Sequence, residues 1–272
     1  MLTWKEGVIM SSIKRLCMLS KNEFSSYQPY LELNNKYQSY TPIEQDMIRE
    51  IVWEVYEVDD FDLEKTIALP DVCADIMTFY TKDKAYGYFM GGSLSLQQMK
   101  ELSFMEDVKS IFGVRLRTGM LGNLFRCDVK DVNNARITMS EALWNGREIE
   151  EQMMEASDFA DRWKVMSSYL EQRIARNYKI NNIVSYVVKE IINSQGCITI
   201  RELEEKTGYT GRYLRKVVKE YLGISIKQFC EVTKFQWMCN YYKLREGDVS
   251  LPDLALQAGY YDQSHMNLSC KK

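Results

Sequence analysis

A short pattern that occurs twice near the end of the chain limits its fold more than any other feature. The first copy runs from Thr199 to Gly208 and the second from Ser250 to Gly259, with matching residues 51 positions apart. Each copy has a hydroxyl residue at its start, an acidic residue three positions later, an apolar residue next and a glycine at its end. So regular an offset indicates a duplicated structural unit.

Each copy predicts a helix, a tight turn and a second helix. Thr199 and Ser250 can accept hydrogen bonds from the unpaired N–H groups of a helix start, and the acidic residue three positions later is typical of a capping box. Gly208 and Gly259 stand where the helix must end in a left-handed conformation, which glycine adopts at no steric cost. A second capping residue follows each glycine and begins another helix.

The second helix of the first copy, predicted over Arg212–Leu222, has two different faces. The residues expected to be buried are Leu214, Val217, Val218, Tyr221 and Leu222. The residues expected on the other side are Arg212, Arg215, Lys216 and Lys219. A helix in the major groove of DNA requires an apolar face for its partner helix and a basic face for phosphates and bases. The alternative is a solvated basic face on an ordinary helical hairpin, and the second copy of the pattern disfavours it.

Residues 180–266 resemble the DNA-binding domain of bacterial transcription regulators of the AraC/XylS type. The segments that carry this resemblance are Tyr213–Leu222 with the following Gly223-Ile224-Ser225, and Asp253–His265. The resemblance implies two helix-turn-helix units in one chain that enter successive major-groove faces of promoter DNA. It also implies a long connecting helix, predicted from Ile226 to about Leu244 and ended by Gly247. Its apolar stripe would be Phe229, Val232, Phe235, Cys239 and Tyr242.

In the second unit, the residues predicted to face DNA are Gln263, Ser264 and Asn267. The chain departs from the family pattern just after them, because Leu268 stands where an arginine is expected and Cys270 where a phenylalanine is expected. The sequence ends at Lys272, earlier than in related proteins. The second unit is therefore predicted to be truncated and weakened.

The first 145 residues predict an antiparallel, barrel-like β domain. Runs rich in β-branched and aromatic residues, separated by turn residues, are Ile48–Val58, Val72–Tyr80, Ala85–Gly91 and Phe112–Arg117. Three segments, Leu69–Asp75, Phe89–Gly92 and Phe112–Gly119, resemble the amino-terminal domain of one AraC-type subgroup. That resemblance implies a sensor or dimerisation domain, and it does not identify an effector.

Aromatic and arginine side chains of this domain are candidates for lining an effector cavity: Tyr86, Tyr88, Phe112, Arg115 and Arg117. Alternating aromatic residues in strands are more often part of the core, so no effector contact is assigned.

A helical connector is predicted between the two domains. Its apolar residues keep close to the alternating spacing of a helix-pair seam: Ile149, Met153, Ala156, Ala160, Trp163, Leu170 and Ile174. Such a seam packs on the β domain or pairs with a second subunit, and we favour a homodimer. The expected fold class is α+β, with a β-rich domain over 1–145, a helical connector over 146–178 and a double helix-turn-helix domain over 179–272.

Charge and residue inventory limit the class of function. The formal net charge is −3, but residues 177–272 carry 14 Lys and Arg against 10 Asp and Glu, as expected of a basic DNA reader beside an acidic domain. The single histidine, His265, lies in the second helix predicted for the second unit, so no histidine is left for a Ser-His-Asp, Cys-His or histidine-rich metal site. No phosphate-binding glycine motif occurs. Seven cysteines without a C-x-x-C spacing predict reduced thiols in a cytoplasmic protein. No apolar stretch is long enough to span a membrane. We therefore expect no enzyme, cofactor or metal.

Two functions remain open at this stage. The first is a transcription regulator that binds double-stranded promoter DNA through both units and responds to an unknown small-molecule effector. The second is a truncated regulator with weak or no DNA binding, which acts as a protein-interaction or sequestering module.

Overall fold

An antiparallel sheet comes first in the chain and a set of helices follows it. The computed structural model describes residues 28, 36–42, 47–65, 69–91, 101–132, 136–245 and 248–270, without the side chains of 129, 132, 177, 265 and 268–270. The strands are β1 (Tyr37–Tyr40), β2 (Val52–Asp59), β3 (Cys73–Tyr80), β4 (Ala85–Gly91), β5 (Ser110–Arg117) and β6 (Arg136–Thr138). They form one sheet in the order β1-β2-β5-β3-β4-β6, and every pairing is antiparallel.

The helices lie mainly in the second half of the chain. Those of the first half and the connector are α1 (Met47–Ile51), α2 (Val129–Val132), α3 (Met139–Ala142), α4 (Gly146–Glu155) and α5 (Phe159–Asn177). Those that follow are α6 (Asn182–Asn193), α7 (Ile200–Thr207), α8 (Gly211–Leu222), α9 (Ile226–Leu244), α10 (Leu251–Gln257) and α11 (Gln263–Cys270). The predicted α+β class is confirmed. The division into independent domains stays a prediction.

The strand predictions are right for most of the sheet and wrong at the start of the first predicted run, Ile48–Val58. Residues 48–51, predicted as strand, are the end of helix α1. Ile48 and Ile51 are both buried, and their spacing of three places them on one face of a helix. The short outer strands β1 and β6 were not predicted, since three or four residues carry too little alternation to be recognised.

The two faces of the sheet bury different sets of side chains. Ile76, Phe112 and Val114 lie on the face that packs under the helices. Ile111 and Gly113 point to the opposite face, and so does Arg115, because side chains alternate along a strand. Phe112 therefore cannot line one cavity together with Arg115, as the sequence analysis had allowed. Tyr86 is also accounted for, because its ring stacks on Phe104 with centroids 3.9 Å apart.

Gly113 is required by the packing of the second face. A Cβ atom at this position would lie 2.1 Å from the Cζ atom of Tyr56, whose ring crosses the strand there. The Tyr56 hydroxyl reaches the Asp75 carboxylate at 3.3 Å. The glycine in the middle of β5 thus makes room for a buried tyrosine that ends in a polar cluster.

A buried charged cluster lies on the same face of the sheet. Arg115, which is 1% exposed, has carboxylates of Glu54, Asp71 and Asp75 at 3.6, 3.8 and 3.2 Å. Its guanidinium also lies over the Tyr56 ring, 5.2 Å from the centroid. Burial raises the pKa of Asp75 to about 7; Arg115 acts in the opposite direction and the Asp71 carboxylate in the same direction.

The connector seam packs back on the sheet. Ile149, Met153 and Leu170 are buried in the same apolar cluster as the sheet, with Met166 and Tyr169 beside them. An ion pair between Glu57 of β2 and Arg162 of α5 fixes the connector to the sheet. The seam residues are therefore buried within the chain, although we had favoured a subunit interface for them. The homodimer stays a prediction, and the seam does not support it.

The raised pKa of Asp75 predicts a pH dependence of stability. Between about pH 4 and pH 7 the folded chain holds a proton that an unfolded aspartate has released, so the free energy of unfolding should fall as pH rises through this window. We expect Asp75→Asn to flatten that slope in thermal or urea unfolding followed at several pH values. The control is Asp83→Asn in an exposed turn, which should keep the wild-type slope. An unchanged slope in Asp75→Asn would contradict the assignment.

Candidate nucleic-acid interface

The first helix-turn-helix unit consists of α7, a tight turn and α8. Thr199 accepts a hydrogen bond from the N–H of Glu202 at 3.2 Å, and the Glu202 carboxylate accepts one from the N–H of Thr199 at 2.7 Å, as in a capping box. Gly208 ends α7 with φ +73°, and a Cβ atom added there would have no atom within 4 Å. Glycine is therefore favoured at this position by the left-handed backbone and not by lack of space. The predicted helix start and turn of this unit are therefore both present.

Helix α8, which the sequence analysis predicts to be the reading helix of the first unit, buries one face. Thr210 caps it through the N–H of Tyr213, at 3.4 Å. The fully buried positions are Leu214, Val218 and Leu222. Val217 and Tyr221, which were also predicted to be buried, are only partly covered, so the apolar face is narrower than the sequence indicated.

The opposite face of α8 presents all four predicted cations to solvent. Arg212, Arg215, Lys216 and Lys219 are exposed, and at 3.6 residues per turn they span roughly 100° of the helix surface. Lys216 lies 3.8 Å from Glu220, and the Lys219 ammonium donates to the carbonyl of Gly223 at 2.6 Å. An exposed ion pair such as that of Lys216 with Glu220 contributes at most about 1 kcal/mol, so it holds the lysine side chain only weakly.

The connecting helix α9 has the predicted bounds, but its burial pattern differs from the predicted stripe. Ser225 caps its start together with Gln228, and the helix ends at Leu244; residue 247, predicted as its end, lies outside the described residues. Of the predicted stripe only Phe229 is fully buried, and Tyr242 is 40% exposed. The other buried positions of α9 are Ile226, Thr233, Gln236 and Met238. Because α9 packs against different neighbours along its length, a single stripe does not describe it.

The second unit repeats the first on a separate small core. Ser250 accepts a hydrogen bond from the N–H of Asp253 at 3.2 Å, and Gly259 has φ +74°. The buried residues of this unit, packed on Met238 of α9, are Leu254, Ala255, Ala258, Tyr260 and Met266.

The three predicted DNA-facing residues of the second unit lie at the start and in the middle of α11. Ser264 and Asn267 are exposed, and Gln263 is half-buried. The helical backbone continues to residue 270, while the side chains at 268 and 270 lie outside the described residues.

Three exposed tyrosines beside the reading helices were missed by the sequence analysis. Tyr209 and Tyr213 are 45% and 41% exposed, and their ring centroids lie 5.0 Å apart. Tyr261, which directly precedes α11, is 86% exposed. The signal was present in the sequence, since Tyr209 and Tyr261 each stand directly before the capping position of a reading helix.

The first unit and the connecting helix are tied to the amino-terminal sheet region by hydrogen bonds. The N–H of Gly122, just after the sheet, donates to the Tyr221 hydroxyl of α8 at 2.9 Å. The Gln236 amide of α9 donates to the carbonyl of Pro70, before β3, at 2.7 Å. The reading helix of the first unit and the connecting helix are thus both held by the β-rich region.

Two other kinds of feature, a metal site and a membrane span, are absent from the described residues. Across the part of the chain that the structure describes, no group of three His, Cys, Asp or Glu side chains could hold a metal ion. Among the described helices, none has both the length and the apolar character to cross a membrane.

Comparison with known proteins gives a weak likeness in structure. No protein-family model matches the chain, and no curated protein matches it. An apo variant of ToxT from Vibrio cholerae strain SCE256 is similar over 88% of this chain and 94% of that chain, with a TM-score of 0.40 and 10% identity. ToxT from Vibrio cholerae O395 covers the same shares with a TM-score of 0.37 and 10% identity. Likeness at this level shows neither a shared family nor a shared function.

The contact between α8 and the sheet region yields a prediction. Tyr221→Phe removes the acceptor of the Gly122 N–H in a partly buried place, which should lower the free energy of unfolding by about 1 to 3 kcal/mol in urea. Tyr186→Phe, at an exposed position of α6, is the matched control and should leave stability unchanged. Equal stability of the two variants would show that this hydrogen bond contributes nothing.

Proposed function

We propose that the chain is a sequence-specific regulator of transcription that binds double-stranded promoter DNA, with most of the binding supplied by the first unit. The observation that carries this proposal is helix α8, which buries Leu214, Val218 and Leu222 and exposes four cations on the opposite side. A reading helix needs this division, because it must be held rigidly from behind while its other face meets phosphates and base edges. The duplicated unit supports the same function.

The four cations are assigned different roles by their place on α8. Arg212, Arg215 and Lys216 lie in its first two turns, and the N-terminal part of a recognition helix is the part that contacts base edges. Of these, Arg215 is the proposed reader of a guanine edge, since a guanidinium can bind O6 and N7 together. Lys219 lies nearer the end of the helix and is the proposed phosphate contact.

The second unit is proposed to add sequence preference and little electrostatic attraction. Helix α11 has no Lys or Arg over residues 263–270. Gln263 and Asn267 carry amides that can pair with adenine, but neutral side chains release no counterions from DNA. This observation also favours the second candidate function, in which the chain binds DNA weakly and acts by interaction with another protein.

A pair of substitutions tests the proposed roles. Arg215→Ala should cost about 1 to 3 kcal/mol of binding and relax the preference at one base pair. Lys219→Ala should weaken binding to all sequences alike and reduce the salt dependence, since one phosphate contact is lost. The measurement is a mobility-shift series on the DNA upstream of the chain's own gene, at two salt concentrations. Uniform weakening in Arg215→Ala would make Arg215 a phosphate contact.

The same series separates the two candidate functions. Binding of the wild-type chain at low salt that is specific for one sequence supports the regulator. Absence of any shift at low salt, by a chain that is folded in solution, would remove DNA binding and favour the interaction module.

We further propose that the β-rich region regulates DNA binding in response to an effector. The support is a continuous set of contacts from the buried charged cluster to the connecting helix. Asp71 lies 3.8 Å from Arg115, and its carboxylate also accepts from the Gln28 amide at 2.9 Å and from the N–H of Cys73 at 3.0 Å. The preceding residue, Pro70, accepts the hydrogen bond of Gln236. A small molecule that rearranged the cluster would therefore change the support of α9, from which both units extend.

This regulatory role predicts the behaviour of Gln236→Leu in the full chain. The variant keeps the size of the buried side chain but loses the hydrogen bond to Pro70, so occupancy of target DNA should depend less on growth condition than in the wild type. Occupancy can be followed by footprinting in cells. Gln172→Leu, at an exposed position of α5, is the control and should behave as the wild type. Equal condition dependence in all three chains would exclude this route of regulation.

Location and assembly follow from the proposed function. A regulator of promoter DNA in a bacterium works in the cytoplasm, and we propose that location here. The homodimer stays a prediction.

A further inference from the structure

Each proposed reading helix has an exposed tyrosine directly before its capping residue, although the turn of the second unit is one residue longer. Tyr209 stands directly before Thr210, the capping residue of α8, and Tyr261 stands directly before Asp262, whose carbonyl accepts the hydrogen bond from the N–H of Met266 in α11. Their exposed fractions are 45% and 86%. Two copies of one unit thus place an aromatic ring in solvent at the N-terminal end of the helix that would read DNA.

Both rings are more exposed than a hydrophobic staple would leave them. An apolar residue directly before a helix cap ordinarily packs on the fourth helical residue, as a hydrophobic staple. The fourth residues here are Leu214 and Met266, which are 0% and 4% exposed within the cores, whereas Tyr209 and Tyr261 are 45% and 86% exposed. In the second unit Tyr260 supplies the aromatic contact of the turn, because it is 6% exposed and lies under the Lys234 ammonium.

The position of the rings fits contact with the DNA backbone. The N-terminal end of a recognition helix enters the major groove, and the residues that flank it meet the sugars and phosphates at the groove edge. A tyrosine can lay its ring on deoxyribose and donate its hydroxyl to a phosphate oxygen. The Tyr209 ring packs against the ring of Tyr213, and Tyr213 follows Arg212 of the basic face in the sequence.

We propose that Tyr209 and Tyr261 are a matched pair of backbone-contacting residues, each of which fixes the N-terminal end of its reading helix to a phosphate and its sugar in duplex DNA. This inference rests on the proposed DNA-binding function and deepens it. The pair sets the register of the two units on DNA, and it does so without reading sequence, since phosphates are the same at every base pair. In the second unit, where the reading helix has no Lys or Arg, Tyr261 is the main anchor.

The test uses the full chain and removes only the hydroxyl groups. Tyr209→Phe and Tyr261→Phe are compared with the wild type by ethylation interference, in which each phosphate of the target is blocked in turn. Each variant should lose interference at one phosphate, and the two phosphates should lie about one helical turn apart. Affinity should fall about tenfold per hydroxyl, as expected for a hydrogen bond to a charged group. The salt dependence should stay that of the wild type, because a neutral donor releases no counterion.

The controls distinguish the two proposed tyrosine–phosphate contacts from a general loss of folding or of DNA binding. Tyr242→Phe changes a tyrosine on α9 that is 40% exposed, close to the 45% of Tyr209, and should alter neither affinity nor the interference pattern. Lys219→Ala should lower the salt dependence, which the tyrosine variants leave unchanged. The unfolding midpoint of each variant in urea, equal to that of the wild type, shows that the fold is retained.

Three results would overturn the inference. Wild-type affinity and interference in both tyrosine variants would remove the contacts. A changed preference at one base pair would make the tyrosine a base reader. A wild-type chain that binds no DNA removes the proposed function itself, and that failure is distinct because it is seen before any tyrosine is changed.

Discussion

One apolar core runs from the amino-terminal sheet into the first helix-turn-helix unit, and the rest of the structure depends on it. Val114 of the sheet, Val187 of α6 and Leu214 of α8 belong to the same buried cluster. Truncation of a buried leucine such as Leu214 to alanine leaves a cavity and costs about 2 to 5 kcal/mol. Helix α8 is therefore packed through this shared core against the same cluster as the sheet, and its basic face lies on the side away from that core.

That shared core changes how a sensor region could act on DNA binding. A fragment made only of residues 177–272 would lose the sheet part of this cluster and the segment around Gly119 that lies against Val188 of α6. A change in DNA binding by such a fragment could result from lost stability and would not by itself report on regulation. Substitutions within the full chain, at Gln236 or Tyr221, alter one contact between the regions and leave the core filled.

The sequence was informative where residues act locally. The capping residues Thr199 and Ser250, the turn glycines Gly208 and Gly259, and the exposed cations of α8 are all set by neighbours within one turn of helix, and the structure has them as expected. The sequence was uninformative where a residue meets a distant part of the chain. Gln236 reads as an ordinary polar position of a helix, and only the fold brings it to Pro70, 166 residues away.

The buried position of Arg115 could not be predicted from the sequence either. Arg115 alternates with apolar neighbours in β5 and could equally have faced solvent. Only the sheet register, which pairs it with Glu54 and Asp75, places it among carboxylates in the interior.

The two units differ in how they are held, and the difference bears on which of them dominates. The first shares the large core, whereas the second has its own small cluster around Leu254, Tyr260 and Met266, built on α9. Its turn touches the rest of the domain through the Lys234 ammonium, which reaches the Gly259 carbonyl at 3.3 Å. A unit with a small core of its own depends on α9 for its orientation. The anchoring of α9 at Pro70 therefore matters more for the second unit than for the first, because the first would stay on the sheet without it.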